Sequence, residues 1–455
     1  MAHVIIENEQ YIFQAATRKK LFYLLGAGIV LMIIGILFAL GGPAESHGEG
    51  HAMAAHQESL VASTMQGAAH DTDAHAETDH HGPAYWLKRL YTTLWMNNVF
   101  FLGVGLIGLF FIAIHYAAQA GWSAGIIRIP LAMGNWIPIA GILTFVLFFA
   151  TGHTIFHWTH DYLYDLNDSR YDPIIAGKSS FFFWPGEGGG FPVFFIVRMV
   201  LFIGMWYWFY TLMRKNVLAE DLEDRTIYWY KNRSNAAWFL VFFAVSSSVS
   251  AWDWVMSIDT HWFSTMFGWY VFASWWVTGL ATITLICAHL KSAGYLKVVN
   301  ANHFHDLGKY IFAFSIFWTY IWFGQFMLIW YANIPEETVY FIERMTTSPY
   351  SGIFYAVLIL NFVLPFLLLM TRDSKRQLSM LKLVCPIVIV GHWLDFYNMV
   401  TPGVMQTQGG LGLLEIGVGL IFLAAFLLVT LAALAKVPLI GKNHPTLVES
   451  LNHHI

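Results

Sequence analysis

Ten apolar runs, each long enough to cross a lipid bilayer, constrain this chain more than any other feature. A spanning helix needs about 20 consecutive, mainly apolar residues. Runs of that kind lie at 21–41, 96–118, 134–157, 192–213, 235–256, 266–289, 310–332, 350–371, 380–397 and 413–435. In hydrocarbon the backbone N–H and C=O groups find no water, so each run must satisfy its own backbone as a helix. Composition agrees: 57% of residues are hydrophobic and 11% charged, whereas soluble domains carry about 25% charged residues. The expected fold class is an all-α integral membrane protein with about ten transmembrane helices. The net charge of −4 offers no basic footprint for nucleic acid.

An even number of helices puts both ends of the chain on one side. Arg18, Lys19 and Lys20 precede helix 1, which the positive-inside rule reads as a cytoplasmic N-terminus. The loops support this reading. The expected cytoplasmic side carries 18 Lys and Arg, the opposite side five, and Arg198 alone falls inside a helix. Helix 1 is longer than the roughly 7–15-residue core of a signal peptide, and no A-x-A site follows it, so it reads as a retained helix. The expected localisation is a bacterial inner membrane, with both termini cytoplasmic.

Residues 43–87 form a polar outer loop with seven histidines, seven acids and no Lys or Arg. His-rich tracts can bind metal. His47, His51, His80 and His81 are weak candidates, because no tetrahedral ligand spacing is present. A solvated loop is the plainer reading. Cys287 and Cys385 both lie in apolar runs and make no disulfide framework. No C-x-x-C-H haem attachment or iron–sulfur cysteine series occurs, and the membrane histidines show no paired axial pattern. If the protein does redox work, its metal centres are expected on other chains. Gly103-Val104-Gly105-Leu106-Ile107-Gly108 matches a dinucleotide fingerprint by letter only. It sits inside helix 2 with no strand before it, so close helix packing explains it better. Pro138, Pro365 and Pro386 fall in helices 3, 8 and 9, where each can kink its helix or open a polar cavity.

Polar residues inside the runs are costly, about 2.5–3.5 kcal/mol for a charge at the bilayer centre. His153, Arg198, Asp253, His392, Asp395 and Glu415 all lie toward the outer ends of their helices. Gln325, Asn361 and His289 continue inward, and Ser246, Ser247, Ser248 and Ser250 line part of helix 5. One reading is an outer-side cluster that takes up protons or faces a quinol. The other is an interfacial set, with Arg198 paired to Asp253 or Glu415 and tryptophans in the usual belt. Ala251-Trp252-Asp253-Trp254 and His392-Trp393-Leu394-Asp395 form a faint echo, each putting an acid beside Trp near the outer end.

Several stretches resemble one family. They are Ala117-Ala118-Gln119-Ala120-Gly121-Trp122-Ser123, Ile175-Ala176-Gly177-Lys178-Ser179, the run 252–274, and His305-Asp306-Leu307-Gly308-Lys309 through Trp330-Tyr331-Ala332-Asn333-Ile334-Pro335-Glu336-Glu337. They are similar to the NrfD/PsrC-like haem-free membrane subunits, and within them to the ActF-type subunits of bacterial alternative complex III, a quinol:cytochrome c oxidoreductase. The likeness covers most of 15–435 and is weakest over 158–183. It implies two four-helix bundles, helices 2–5 and 6–9 (96–256 and 257–397), with helices 1 and 10 peripheral. It also implies partners: a sister NrfD-like membrane subunit, an iron–sulfur subunit, c-type cytochrome subunits and, further on, a terminal oxidase. This chain would then bind no cofactor itself and carry no catalytic residue. It would hold the complex together, with proton conduction or quinone contact as further roles. A proton-coupled secondary transporter is the alternative expectation.

Overall fold

The structure is a computed structural model and describes residues 9–41, 83–223 and 225–454. His47, His51, His80 and His81 lie outside the described residues. Ten helices in these segments are long and apolar enough to span a membrane. They are α1 (Ala15–Ala39), α2 (Tyr85–Ala117), α3 (Arg128–Ile155), α4 (Val193–Ala219), α5 (Ile227–Trp254), α6 (Phe267–Ser292), α7 (Ala301–Ala332), α8 (Tyr350–Leu368), α9 (Leu378–Met405) and α10 (Leu413–Leu434). Gln10 bridges to Pro438, and the Leu439 amide donates to the Glu9 carbonyl. Both described ends therefore share one face, here the terminal face; the opposite one is the far face.

Several helices are longer than their apolar runs. α2 starts at Tyr85 rather than 96, α7 at Ala301 rather than 310, and α9 continues to Met405 rather than 397. The added turns carry charges and polar groups that lie beyond the hydrocarbon. One consequence is a correction: Arg198 is not the only helical cation. Arg89 lies in the first turns of α2, and Arg128 opens α3. A second is that Asp395 does not close its helix as Asp253 does, since α9 runs on past it.

The helices form two groups of four. In the first, α2 packs on α3 and α5, and α4 on α5; in the second, α6 packs on α7 and α9, and α8 on α9. The groups meet through α2 and α6, with α5 and α9 at the same seam. α1 pairs chiefly with α10, which leans on α2. Small residues allow these close contacts. A Cβ on Gly103 would fall 2.0 Å from the Trp275 ring, and one on Gly108 would fall 2.4 Å from the Pro130 carbonyl. The G-x-G-x-x-G letters are thus a packing surface.

The chain after α10 lies across the terminal face as a strap. Ser450 donates to the Trp122 carbonyl at 2.9 Å and meets His303 Nε2 at 3.0 Å, while His453 Nε2 is 2.6 Å from an Asp306 oxygen. Trp122 belongs to the first group and His303 and Asp306 to α7, so the strap ties both groups together.

Candidate functional site

Within the two four-helix groups, two buried acids stand in the far half, one in each group. Asp253 occupies the last turn of α5 and has no exposed surface. Its neighbour α4 runs antiparallel and presents Arg198 from its second turn. Nε and Nη2 of Arg198 donate to the two carboxylate oxygens at 2.7 and 2.8 Å. The rings of Phe181 and Phe194 lie 4.3 and 4.4 Å from the guanidinium carbon and remove it from solvent. Both Asp253 oxygens are occupied by one bidentate cation, an arrangement that is strong and geometrically specific. Around it, Trp95 donates to the Trp254 carbonyl at 2.9 Å, and Trp206 donates to Ser246 at 2.9 Å. Ser250 turns back to the Ser247 carbonyl, and half-buried Ser248 to that of Ala244.

Asp395 in the second group is treated differently. The Tyr270 hydroxyl donates to one oxygen, and Trp318 Nε1 donates to the other at 3.0 Å. Tyr270 sits in the first turn of α6, which places Asp395 in the far half although α9 continues. His392 is one turn before Asp395, with Nδ1 3.8 Å from the carboxylate and 3.0 Å from the Ser274 hydroxyl. Its Nε2 is buried and has no protein partner. No Arg or Lys pairs with Asp395 among the described residues. One acid is thus held by a bidentate guanidinium and the other by a hydroxyl and an indole.

More unpartnered polar atoms lie in the same group. α8 contains a π-helical turn, Ile359–Val363, just before Pro365. Such turns arise where a residue disturbs the regular ladder, and they recur at functional sites. Asn361 within this turn is fully buried, and neither end of its amide has a partner. It faces Gly391 of α9, where a Cβ would fall 2.1 Å from the amide oxygen. On α7, Ser315 Oγ and Gln325 Nε2 are also buried without partners. Spacings of three and four residues put Ser315, Trp318, Trp322 and Gln325 on one helix face. A buried polar atom left unpaired costs about 1–3 kcal/mol; the first group holds such atoms too, among them Asn98 Oδ1, His115 Nε2 and Arg198 Nη1.

The remaining candidates separate. Glu415, in the first turn of α10, binds Arg89 at 2.5 and 2.7 Å and accepts from the Gly412 amide at 2.7 Å, so it caps its helix and ties it to α2. His153 is exposed and bonds Thr159; His289 is exposed and bonds the Leu285 carbonyl. The single outer cluster expected of Asp253, Arg198, His392 and Asp395 is replaced by two sites, and no hydrogen bond or ion pair among the described residues joins them. Trp393 donates to Asn97 at 2.9 Å.

Sequence reasoning missed two buried arginines and a half-buried one by treating them as loop charges. Arg344 lies in a connecting helix, Pro335–Thr346, and donates to Asp259 at 2.8 Å and to the carbonyls of Asn398 and Tyr340 at 2.8 and 3.0 Å. Arg89 was the second. Arg128, the third, binds Asp221 on the terminal face. Beside it, burial pushes the Glu220 carboxyl up to about 8, against the opposing pull of Arg128 and the Tyr116 hydroxyl. Burial, and then Arg128, push His444 of the strap down to about 4. At neutral pH this corner is therefore closed by a protonated acid and a neutral imidazole. Tyr270 and Trp318 were missed because they read as belt aromatics. The α7 spacing of Ser315, Trp318 and Gln325 was the available signal.

Fold and sites together define a polytopic α-helical membrane protein with one ion-paired and one cation-free buried acid. No protein-family model matches the chain, and no curated protein matches it.

Proposed function

We propose that this chain is a haem-free integral membrane subunit of a respiratory quinol:cytochrome c oxidoreductase of the alternative complex III type. It anchors the assembly and handles protons in its second helix group. The observation that carries the reading is the Asp395 site: a buried carboxylate with hydroxyl and indole donors, a histidine one turn away, and unpaired polar atoms on α7, α8 and α9. Such a set suits proton uptake and release, because each group can exchange hydrogen bonds without separating an ion pair. The first group, closed by Arg198, serves as scaffold. Haem c and iron–sulfur clusters belong to partner chains in this reading, and a quinone would meet this subunit as substrate. The partners are a sister membrane subunit, an iron–sulfur subunit and c-type cytochromes. The terminal face, which carries the larger share of Lys and Arg, faces the cytoplasm of a bacterial inner membrane.

Mild-detergent isolation of the chain, followed by an absorption spectrum and mass identification, tests the proposal. Co-purification of multi-haem c and iron–sulfur chains is expected. A lone colourless protein would overturn it in favour of a proton-coupled transporter.

A further inference from the structure

Away from both acids, a cleft of about 460 Å³ opens between the terminal-face ends of α3 and α4. Local sequence makes it. α3 begins as a helical turn, tightens over Gly134–Trp136, and resumes regular winding at Ile137–Ile155 with Pro138 at its start. Tyr210 of α4 seats its ring against Gly134, where a Cβ would lie 2.3 Å from the ring. Its hydroxyl donates to the Leu131 carbonyl at 3.0 Å, with Arg214 and Asn135 flanking it. Tyr210 therefore forms the back wall, and Arg214 and Lys215, from the last two turns of α4, form the polar end.

Charge and surroundings specify the occupant. None of the lining side chains is acidic, and neither Arg214 nor Lys215 has an ion-pair partner among the described residues. Below them the rim is apolar, and the flanking surface is too. Ile142 and Phe149 on α3 are 67% and 62% exposed, and Val197 and Trp208 on α4 are 52% and 50% exposed. Tyr207, two turns deeper than Arg214, has the position of an interfacial aromatic. A cleft with a doubly cationic end at the membrane surface and hydrocarbon along its length complements one kind of molecule, an amphiphile with an anionic head. Basic pockets between helices bind such headgroups, and guanidinium groups favour phosphate oxygens.

We propose that this cleft is a binding site for one anionic phospholipid, its phosphate held by Arg214 and Lys215 and its chains lying along the α3–α4 seam. The proposal does not depend on the respiratory reading. It is tested on the protein as isolated with its natural companions, placed in nanodiscs of phosphatidylglycerol or phosphatidylcholine and released into native mass spectrometry. The wild type should retain one phosphatidylglycerol in preference to phosphatidylcholine. Arg214→Gln with Lys215→Gln should weaken that retention about thirtyfold, given about fivefold per basic residue near a membrane surface. Arg214→Lys with Lys215→Arg should keep it, which separates lost charge from a damaged fold. Equal retention by the Gln variant would overturn the site. So would a photo-crosslinker at Leu218 that couples to a protein chain instead of lipid. Inorganic phosphate alone displacing the retained lipid at millimolar concentration would show a free-phosphate site and overturn the lipid assignment.

Discussion

The two helix groups carry an acid in comparable places, yet surround it in opposite ways. On α5, Asp253 meets Arg198 from α4 and both oxygens are taken by one cation. On α9, Asp395 meets Tyr270 and Trp318, while α8, the counterpart of α4, brings buried Asn361 toward α9 instead of a cation. The difference teaches that a buried acid beside tryptophan has no fixed role. The residue that the neighbouring helix turns toward it decides whether it is held by a cation or by neutral donors.

The largest effect that can break this comparison is expected at the rivet. Arg198→Ala leaves Asp253 buried without its cation and should cost about 3–5 kcal/mol, read as a large fall in thermal unfolding temperature in detergent. Pairing Arg198→Met with Asp253→Asn removes both charges and should recover most of that loss. If the single variant unfolds like the wild type, the first group is not held by this pair.

The second acid should respond in the other currency. Asp395→Asn keeps its shape and neutral neighbours, so stability should change by less than about 1.5 kcal/mol. Proton-coupled turnover of the assembled complex should fall at least about tenfold, a barrier change of about 1.4 kcal/mol. Retained turnover would place both groups on the scaffold side and erase the contrast.

A smaller effect is expected on the terminal face. The Glu220 carboxyl is raised to about 8 from an ordinary 4.5. The folded state therefore holds a proton that the unfolded state releases, and the stability this contributes is lost as pH rises from about 5 through about 8. Glu220→Gln should flatten that decline and unfold at higher temperature than the wild type at pH 8.5, with the gap narrowing at pH 5. The smallest effect belongs to Trp206→Phe, which deletes the hydrogen bond to Ser246 and should cost about 1 kcal/mol without altering turnover.

The ten crossings were legible because hydrocarbon admits only long apolar helices, a demand written in composition. Their ends were less so. Hydropathy registers the part in lipid, and the first turns of α2 and α7 lie beyond it. The acids were legible too, since a carboxylate is conspicuous among apolar residues. Their partners were not. Depth follows from counting along a helix, but pairing depends on how each helix is rotated about its axis, and the apolar runs here look alike on every side. Arg89, Arg128 and Arg344 show the same limit, because charges counted as loop residues proved to be clamps between helices, two of them fully buried.

The strap has a consequence for how the molecule is made. Its residues follow α10 and therefore emerge from the ribosome only after every membrane crossing has been synthesised. Until then, the corner holding Tyr116 and Glu220 lacks His444, and α7 lacks the Ser450 and His453 contacts that join it to the first group. Closing that face must therefore wait until the tenth crossing has been made, as a clasp fastened across the two halves. A reporter fused after the strap that prevents it from lying down would leave a protein with all its helices inserted and its halves unlatched.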